Sequence, residues 1–294
     1  MAAKKKNDAY VSMTAGQRAS WFAVGFVKYF MLALFSFIAL VPIVSCVLVA
    51  LKTDEEYALT PVMQAPANWL NFSNFKTVWV DGEMGRAFLT SFAVVIVVVA
   101  CSVLIGSMLA FVLNRFTFPG NNLIRSLFLF ATLIPGIAMQ VTVYQIMSSL
   151  NLINSLVGYI ILQCGTDVIS IYIFIQYFEN LPIDLDESAI LDGCTYFGVF
   201  FKILFPLLQP AMVTVMILKG IGVYNEYYNA NLYLQDKTRY ATISTALYSF
   251  TGPFGNRYNV ISAGVILTLL PMLIIFITCQ RFIYSGLAAG AVKG

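Results

Sequence analysis

Long uncharged runs of apolar residues constrain this chain more than any other feature of its sequence. Phe30–Leu51, Ala87–Leu113 and Ser126–Thr166 contain no charged residue. The apolar core of a bilayer is about 30 Å thick, so a helix of about 20 apolar residues crosses it. Because lipid offers no hydrogen-bond partner to a free backbone group, each crossing segment must be a helix. The chain is therefore predicted to be an all-α membrane protein.

Six transmembrane spans are predicted, because a turn at Asn151–Ser155 divides the longest apolar run into two helices. The fifth span is less apolar than the others, since it contains Lys219 and Glu226. Prolines inside the spans, such as Pro135, predict kinks. The predicted spans are Phe30–Leu51, Ala87–Leu113, Leu123–Met147, Leu156–Phe178, Pro210–Tyr228 and Tyr258–Gln280.

The distribution of basic residues predicts that both chain ends face the cytoplasm. Residues 1–29 begin with Lys4-Lys5-Lys6, and lysine and arginine are enriched in cytoplasmic segments. Six spans return the C-terminal tail, residues 284–294, to the same side. Residues 30–283 then form one six-helix transmembrane domain.

Composition excludes several classes of function. The chain has no histidine, no G-x-x-x-x-G-K-[ST] loop and no G-x-G-x-x-G fingerprint, which argues against His-based catalysis and nucleotide binding. Charged residues make up 11% of the chain, and the net charge of +3 gives no indication of nucleic-acid binding. The cysteines form no CxxC pair and are interpreted as small apolar side chains rather than metal ligands. They are Cys46, Cys101, Cys164, Cys194 and Cys279.

The segment between the fourth and fifth spans, residues 179–209, is the most informative part of the chain. Five carboxylates lie between positions 179 and 192. Asp184 or Asp186 is predicted to cap a short helix containing Glu187. Gly193 is predicted to end that helix with a positive φ, and an apolar helix is predicted to follow it toward Pro206.

This segment resembles the EAA loop of ABC importer permeases, whose pattern is roughly E-A-A-x-x-D-G-A followed by I-x-L-P. Glu187–Cys194 and Ile203–Pro206 match the two parts, with serine, cysteine and phenylalanine as departures at small or apolar positions. The resemblance implies a type I permease fold in which the loop docks on an ATPase. The coupling residues that it implies are Glu187, Ser188, Ala189, Asp192 and Gly193.

Further motifs resemble the carbohydrate branch of these permeases, close to the smaller maltose-type subunit. Asn114–Gly120 is similar to that branch's R-x-x-F-x-G, and Tyr224–Tyr227 to its W-N-E-F. The ending Gly286–Gly294 is similar to G-x-x-x-G-A-V-K-G. The resemblance implies a subunit of an oligosaccharide importer in the bacterial plasma membrane that is not itself an enzyme.

The same resemblance implies a set of partners. They are a second homologous permease subunit, two ATPase subunits and an extracytoplasmic solute-binding protein, and membrane lipid is expected around the chain itself. ATP and Mg²⁺ are expected in the ATPase, whereas this chain is expected to bind no cofactor. In the family, the outer loop that matches Asn229–Asn259 contacts the binding protein, which makes its turn the candidate contact. That turn is Gly252, Pro253, Phe254 and Gly255.

Polar residues inside the spans are candidates for the substrate pathway, because buried polar groups in membranes usually have a function. Asp167 is the only acid inside the first four spans, and it either contacts substrate, faces a water-filled cavity or caps a broken helix. Lys219 and Glu226 lie seven residues apart, share a helix face and are expected to pair with other helices. The full candidate set is Gln140, Tyr144, Gln145, Asp167, Lys219, Tyr224, Asn225 and Glu226.

Two alternatives remain from the sequence. A secondary transporter would use Asp167, Lys219 and Glu226 as an ion or proton relay. A membrane scaffold or intramembrane enzyme would need no ATPase, although the chain shows no nucleophile–base pair for an enzyme.

Overall fold

The computed structural model describes residues 15–165, 167–252 and 255–291, which form helices and one short hairpin. The basic stretch Lys4-Lys5-Lys6, Pro253, Phe254 and the final residues 292–294 lie outside the described residues. The helices are α1 (Ala15–Ala50), α2 (Asp54–Leu59), α3 (Ser73–Asp81), α4 (Met84–Arg115), α5 (Asn121–Thr132), α6 (Gly136–Ser149), α7 (Leu156–Gln163), α8 (Val168–Phe178), α9 (Asp184–Leu191), α10 (Tyr196–Gly198), a π-helix (Val199–Leu204), α11 (Phe205–Leu207), α12 (Gln209–Tyr224), α13 (Tyr228–Tyr233), α14 (Lys237–Tyr240), α15 (Ile243–Tyr248) and α16 (Tyr258–Ala291). The strands β1 (Thr251–Gly252) and β2 (Gly255–Asn256) pair antiparallel.

Three helices, α1, α4 and α16, are each long and apolar enough to cross a membrane. Three pairs of helices meet the same criterion only when taken together, because each pair is bent at a short break. These pairs are α5 with α6, α7 with α8, and the segment 196–207 with α12. The total reaches the six predicted spans when each bent pair is counted as one span.

The third predicted span, Leu123–Met147, is not one continuous helix. Its two parts, α5 and α6, meet at an angle of 102°. Pro135 lies directly before α6 and adopts φ −60° and ψ 123°, outside the helical region. Proline has no N–H to donate and disfavours helix in the residue before it, so the chain turns here instead of bending gently.

Other predicted boundaries also change. The predicted span Leu156–Phe178 is divided between α7 and α8. The predicted span Pro210–Tyr228 ends as a helix at Tyr224, so Glu226 lies beyond α12 rather than on one helix face with Lys219. In the other direction, α1 begins before the first predicted span, and α16 continues through residue 291 into the segment predicted as a tail.

The long helix α4 lies at the centre of the bundle and packs against α8 and α12. Gly106 of α4 faces the ring of Phe174 in α8, and a β-carbon at position 106 would lie 3.4 Å from that ring. The small residue therefore permits close approach of the two helices, as is common between membrane helices. In contrast, α1 packs along α16 and leaves most of its apolar side chains exposed.

A buried polar network joins α1, α3 and α16 at the end of the bundle opposite α9. The Lys52 side chain is fully buried, and its Nζ donates to Thr60 Oγ1 at 3.0 Å and to Pro61 O at 2.6 Å. Asn74 Nδ2 donates to Lys52 O at 2.7 Å, and Asn259 Nδ2 donates to Asn74 Oδ1 at 3.2 Å. Asn74 Nδ2 also donates to Ala50 O at 2.9 Å, so the network satisfies a carbonyl that the end of α1 leaves free.

Candidate functional sites: the α9 surface and the intramembrane polar cluster

Helix α9 starts without a side-chain cap. The preceding residue, Ile183, makes no capping hydrogen bond, and Asp184 and Asp186 lie in the first turn of the helix. The prediction that one of these aspartates caps α9 is therefore wrong. Carboxylates in a first turn still interact favourably with the positive end of the helix dipole, which explains why acids are tolerated there.

The C-terminal end of α9 has the geometry that the sequence predicts. Gly193 adopts φ +85°, a left-handed conformation that favours glycine. Its N–H donates to Ile190 O at 2.9 Å, and the Cys194 N–H donates to Ala189 O at 2.9 Å. The carbonyls of the last turn are thus satisfied, and the chain leaves α9 in a defined direction.

The candidate coupling residues divide between two faces of α9. Ala189 is 4% exposed and packs into the apolar core, whereas Glu187, Ser188, Asp192 and Gly193 are exposed. Leu191, beside them, is 88% exposed. The outward face therefore presents a carboxylate beside a large exposed apolar side chain.

An ion pair attaches the inward face of α9 to α4. Arg115 Nε lies 2.6 Å from Asp186 Oδ2, and both side chains are about nine-tenths buried, with exposures of 10% and 11%. Arg115 Nη2 also donates to Leu181 O at 3.0 Å, and the guanidinium lies 5.9 Å from the centre of the Phe178 ring. Burial raises the pKa of the Asp186 carboxyl above its ordinary value, and the Arg115 charge opposes that rise.

Sequence reasoning missed this ion pair. Asp186 was considered only as a cap, and Arg115 only as part of the motif at residues 114–120. The signal that could have found the pair is a single cation at the end of a long apolar helix together with an acid-rich loop. That pattern indicates that the arginine pairs with an acid of the loop, but it does not show which acid.

The apolar segment after α9 is helical, as predicted, but it changes from an α-helix to a π-helix. Thr195 Oγ1 accepts from the Gly198 N–H at 3.2 Å and caps α10. The following π-helix buries Val199, Phe200 and Leu204. The Phe200 ring lies 5.3 Å from that of Phe111 in α4, so aromatic packing anchors this segment to the central helix.

Three candidate residues of the substrate pathway meet around one open cavity beside α8 and α12. Asp167 caps α8, accepting from the Ser170 N–H at 3.4 Å and from Ser170 Oγ at 2.6 Å. Lys219 Nζ lies 3.7 Å from Asp167 Oδ2. Glu226 accepts from Tyr159 Oη at 3.4 Å. The cavity has a volume of about 290 Å³ and is lined by Gln163, Asp167, Ile169, Ser170, Leu218, Lys219, Gly222, Val223 and Glu226.

This arrangement confirms that Lys219 and Glu226 pair with other helices rather than with each other. It also confirms the capping alternative for Asp167, which at the same time faces the cavity. Charges of both signs and neutral donors converge here in a region of the chain that is otherwise apolar. Such a set can bind a polar, uncharged solute through several hydrogen bonds.

The other pathway candidates lie elsewhere. Gln140 Nε2 donates to Asn229 Oδ1 at 3.0 Å and to Tyr233 Oη at 3.2 Å. Tyr144 Oη accepts from Gln235 Nε2 at 3.2 Å. These contacts tie α6 to the segment after α12, and neither Gln140 nor Tyr144 lines the cavity.

The remaining three candidates have local or structural contacts. Tyr224 is buried and donates through its hydroxyl to Thr268 O at 2.9 Å, which joins α12 to α16. Asn225 Nδ2 donates to Ile221 O in its own helix, and Gln145 is exposed on α6. The structure does not place Gln145, Tyr224 or Asn225 at the cavity.

The outer turn is a hairpin whose described residues flank its tip. Gly252 pairs with Gly255, and Gly255 adopts φ +129°. The two tip residues of the predicted contact, Pro253 and Phe254, lie outside the described residues. Arg257 Nη2 lies 3.4 Å from Asp54 Oδ2, which brings the base of the hairpin next to α2.

Comparison with known proteins identifies the family. Residues 102–288 match the model of the binding-protein-dependent transport system inner membrane component. The chain belongs to this family. The match includes α9, the cavity and both elements that carry the EAA resemblance, so the resemblance to ABC importer permeases is confirmed.

The alignments with similar permeases cover almost the whole chain. The arabinooligosaccharides transport system permease AraQ of Halalkalibacterium halodurans is 31% identical over 89% of this chain and 94% of its own length. AraQ of Bacillus subtilis is 30% identical over 94% of this chain and 97% of its own length. A bacterial ABC transporter involved in the import of alginate shares the fold, with a TM-score of 0.77, 18% identity, and coverage of 92% of this permease and 98% of that chain.

Family membership decides between the alternatives left by the sequence. A permease component of a binding-protein-dependent system is a transport subunit, and its relatives are transport permeases rather than enzymes. The ion-coupled transporter and the scaffold are not supported by any of these similarities. The apolar helices and the family description agree that the permease crosses the membrane several times.

Proposed function

We propose that this permease is one transmembrane subunit of an ATP-driven importer for an oligosaccharide. Relatives are named for arabino-oligosaccharides and for melibiose, raffinose and stachyose, which supports a carbohydrate substrate. ATP is hydrolysed by two separate ATPase subunits, because the sequence contains no phosphate-binding loop. A second homologous permease completes the pathway, and an extracytoplasmic binding protein delivers the sugar.

The observation that carries this proposal is the two-faced geometry of α9. Its outward face offers Glu187 and Leu191 to a partner, while its inward face is attached to the bundle through Asp186 and Ala189. A subunit that cannot bind ATP must receive mechanical work from one that does. A short helix held rigidly to the bundle and inserted in a cleft of the ATPase transmits such work, with Glu187 paired to a cleft cation.

We orient the permease with both chain ends and α9 in the cytoplasm. The basic residues of the N-terminal segment support this orientation. The hairpin at residues 251–256 then faces outward, where it contacts the binding protein. Shifting the bundle between inward- and outward-open states, from 1:99 to 99:1, requires about 5.5 kcal/mol of differential stabilisation by the ATPase.

The cavity beside α8 and α12 is our candidate binding site for the sugar during transport. Asp167 and Glu226 accept hydrogen bonds from sugar hydroxyls, while Lys219 and Gln163 donate them. In this subunit alone the cavity has a volume of about 290 Å³, near the lower limit of small-molecule sites, about 300 Å³.

The test is reconstitution of the complete importer in liposomes with ATP inside. Uptake of a labelled oligosaccharide should require ATP and the binding protein, and an ionophore that collapses ion gradients should leave it unchanged. Uptake that continues without ATP and stops with the ionophore would contradict the proposal. Copurification of an ATPase with the wild-type permease provides a second, independent check.

A further inference from the structure

We infer that Arg115 is the positioning residue that fixes α9 to the central helix α4, so that displacement of α9 by a partner moves α4. This inference rests on the proposed function in one respect, namely that α9 is the element on which the ATPase acts. The observation behind it is that one guanidinium contacts the end of α8, the turn that follows and α9.

Three contacts of Arg115 follow one another in order along the segment from α8 to α9. Its guanidinium lies over the ring of Phe178, the last residue of α8, at 5.9 Å. It donates to the carbonyl of Leu181 in the connecting turn at 3.0 Å and pairs with Asp186 in α9 at 2.6 Å. The turn and the two helices that it joins, α8 and α9, are therefore all in contact with the Arg115 side chain.

Arg115 is itself held on a rigid support, because the end of α4 is capped by side chains from α5. The carbonyl of Leu113 accepts from Asn121 Nδ2 at 3.0 Å and from Arg125 Nη2 at 3.1 Å. Asn121 Nδ2 also donates to Phe116 O at 2.8 Å. These bonds satisfy carbonyls that the last turn of a helix leaves free, so the end of α4 does not fray.

The Asp186 carboxylate depends on Arg115. Its side chain is 11% exposed, and its second oxygen, Oδ1, has no hydrogen-bond partner among the described residues. The Arg115 Nε that faces the other oxygen, Oδ2, also makes no hydrogen bond among the described residues, so the carboxylate is stabilised mainly by the opposite charge beside it. Breaking the pair therefore removes the main polar attachment of α9 to the bundle.

The other attachment of α9 is apolar. Ala189 packs in the core that includes Phe111, Phe200 and Leu204. Apolar contact is not directional, so it permits sliding and rotation of α9 against the bundle. The contact of Arg115 Nε with Asp186 Oδ2, at 2.6 Å, instead holds two opposite charges together at one point. The ion pair thus determines whether α9 moves together with α4 or slips over it.

The expected phenotype is uncoupling. In the complete reconstituted importer, Asp186→Asn and Arg115→Gln should retain the ATPase subunits and their ATP hydrolysis, because Glu187 and Leu191 are unchanged. Sugar uptake per ATP hydrolysed should fall by about tenfold or more, because breaking a buried charge pair costs more free energy than a tenfold change requires. The exchange variant, Arg115→Asp with Asp186→Arg, should recover part of the lost coupling.

Distance measurement gives a readout that does not depend on transport. Spin labels at Asp184→Cys in α9 and Val112→Cys in α4, both exposed positions, are introduced after replacement of the native cysteines. The distance distribution in the intact permease should be narrow. It should broaden in Asp186→Asn and narrow again in the exchange variant.

Three results would overturn the inference. They are unchanged uptake per ATP in both single variants, loss of the ATPase subunits to the extent seen in Glu187→Ala, and an unaltered distance distribution in Asp186→Asn. Failure of the proposed function looks different, because the wild-type importer would then show no ATP-dependent uptake. The spin-label distances would still decide whether Arg115 holds α9 to α4.

Discussion

Lys219 in α12 and Asp167 at the start of α8 form an ion pair, with 3.7 Å between Nζ and Oδ2. The same carboxylate caps α8 through Ser170, so it supports a helix end and an interhelical contact together. Both contacts lie beside the cavity. The break between α7 and α8 in the fourth span is therefore next to the candidate pathway.

The two roles of Asp167 can be separated by substitution. Asp167→Asn should keep the cap, because asparagine also accepts from a backbone N–H, and should lose the ion pair. Asp167→Ala should lose both, and the difference between the two variants should be about 1 kcal/mol, the usual value of a helix cap. Unfolding of the purified permease by SDS titration measures this difference.

Lys219→Met is the matched control for the ion pair, since it leaves the cap untouched. If both variants lose only the ion pair between Asp167 and Lys219, Lys219→Met should destabilise the permease about as much as Asp167→Asn. Equal stability of Asp167→Asn and Asp167→Ala would show that the cap contributes nothing measurable.

Glu187→Ala should abolish ATP-driven uptake and release the ATPase during purification. Removal of one partner from a buried interfacial charge pair costs about 2–5 kcal/mol, and about 1.4 kcal/mol already weakens binding tenfold. The control is Glu179→Ala, which removes an exposed carboxylate that lies before α9 and 3.9 Å from Arg125. If both variants behave alike, whether active or inactive, α9 is only an acidic surface.

Gly193 should matter through its backbone conformation alone. A β-carbon added at Gly193 meets no atom within 4 Å, so no clash accompanies a substitution, but φ is +85°. The left-handed region costs a residue with a β-carbon about 1–2 kcal/mol. Gly193→Val should therefore weaken retention of the ATPase about tenfold.

Gly193→Asn serves as the control for this explanation, because asparagine enters the left-handed region more readily than other residues. It should retain the ATPase better than Gly193→Val. Equal behaviour of the two variants in a pull-down assay would assign the effect to side-chain contacts with the partner instead of to strain.

Topology can be tested by cysteine labelling in a permease without its native cysteines. A cysteine at Ser188 should react with an impermeant maleimide only from the cytoplasmic side, and one at Asn256 only from outside. Both positions are exposed, so accessibility depends on the membrane and not on burial. Reaction of both cysteines from the same side would contradict the six-span arrangement.

The amino-acid sequence by itself determined the class of fold and the location of α9, for which we propose the coupling role. Apolar runs such as Phe30–Leu51 and Ala87–Leu113 specify membrane helices because hydrophobicity over about 20 residues is a local property. The end of α9 at Gly193 was equally predictable, since a left-handed turn depends on one residue type. Pro135 likewise predicted a kink, though not the angle of 102° between α5 and α6.

Only the tertiary structure decided which polar groups meet. The sequence offered both Tyr224 and Lys219 as pathway candidates, yet Tyr224 bonds to α16 and Lys219 faces the cavity. It also gave no partner for Arg115, because several acids lie in the loop that contains Asp186. The energy of an ion pair depends on the distance and burial of two side chains, and helix packing sets both, whereas helix formation depends mainly on neighbours along the chain.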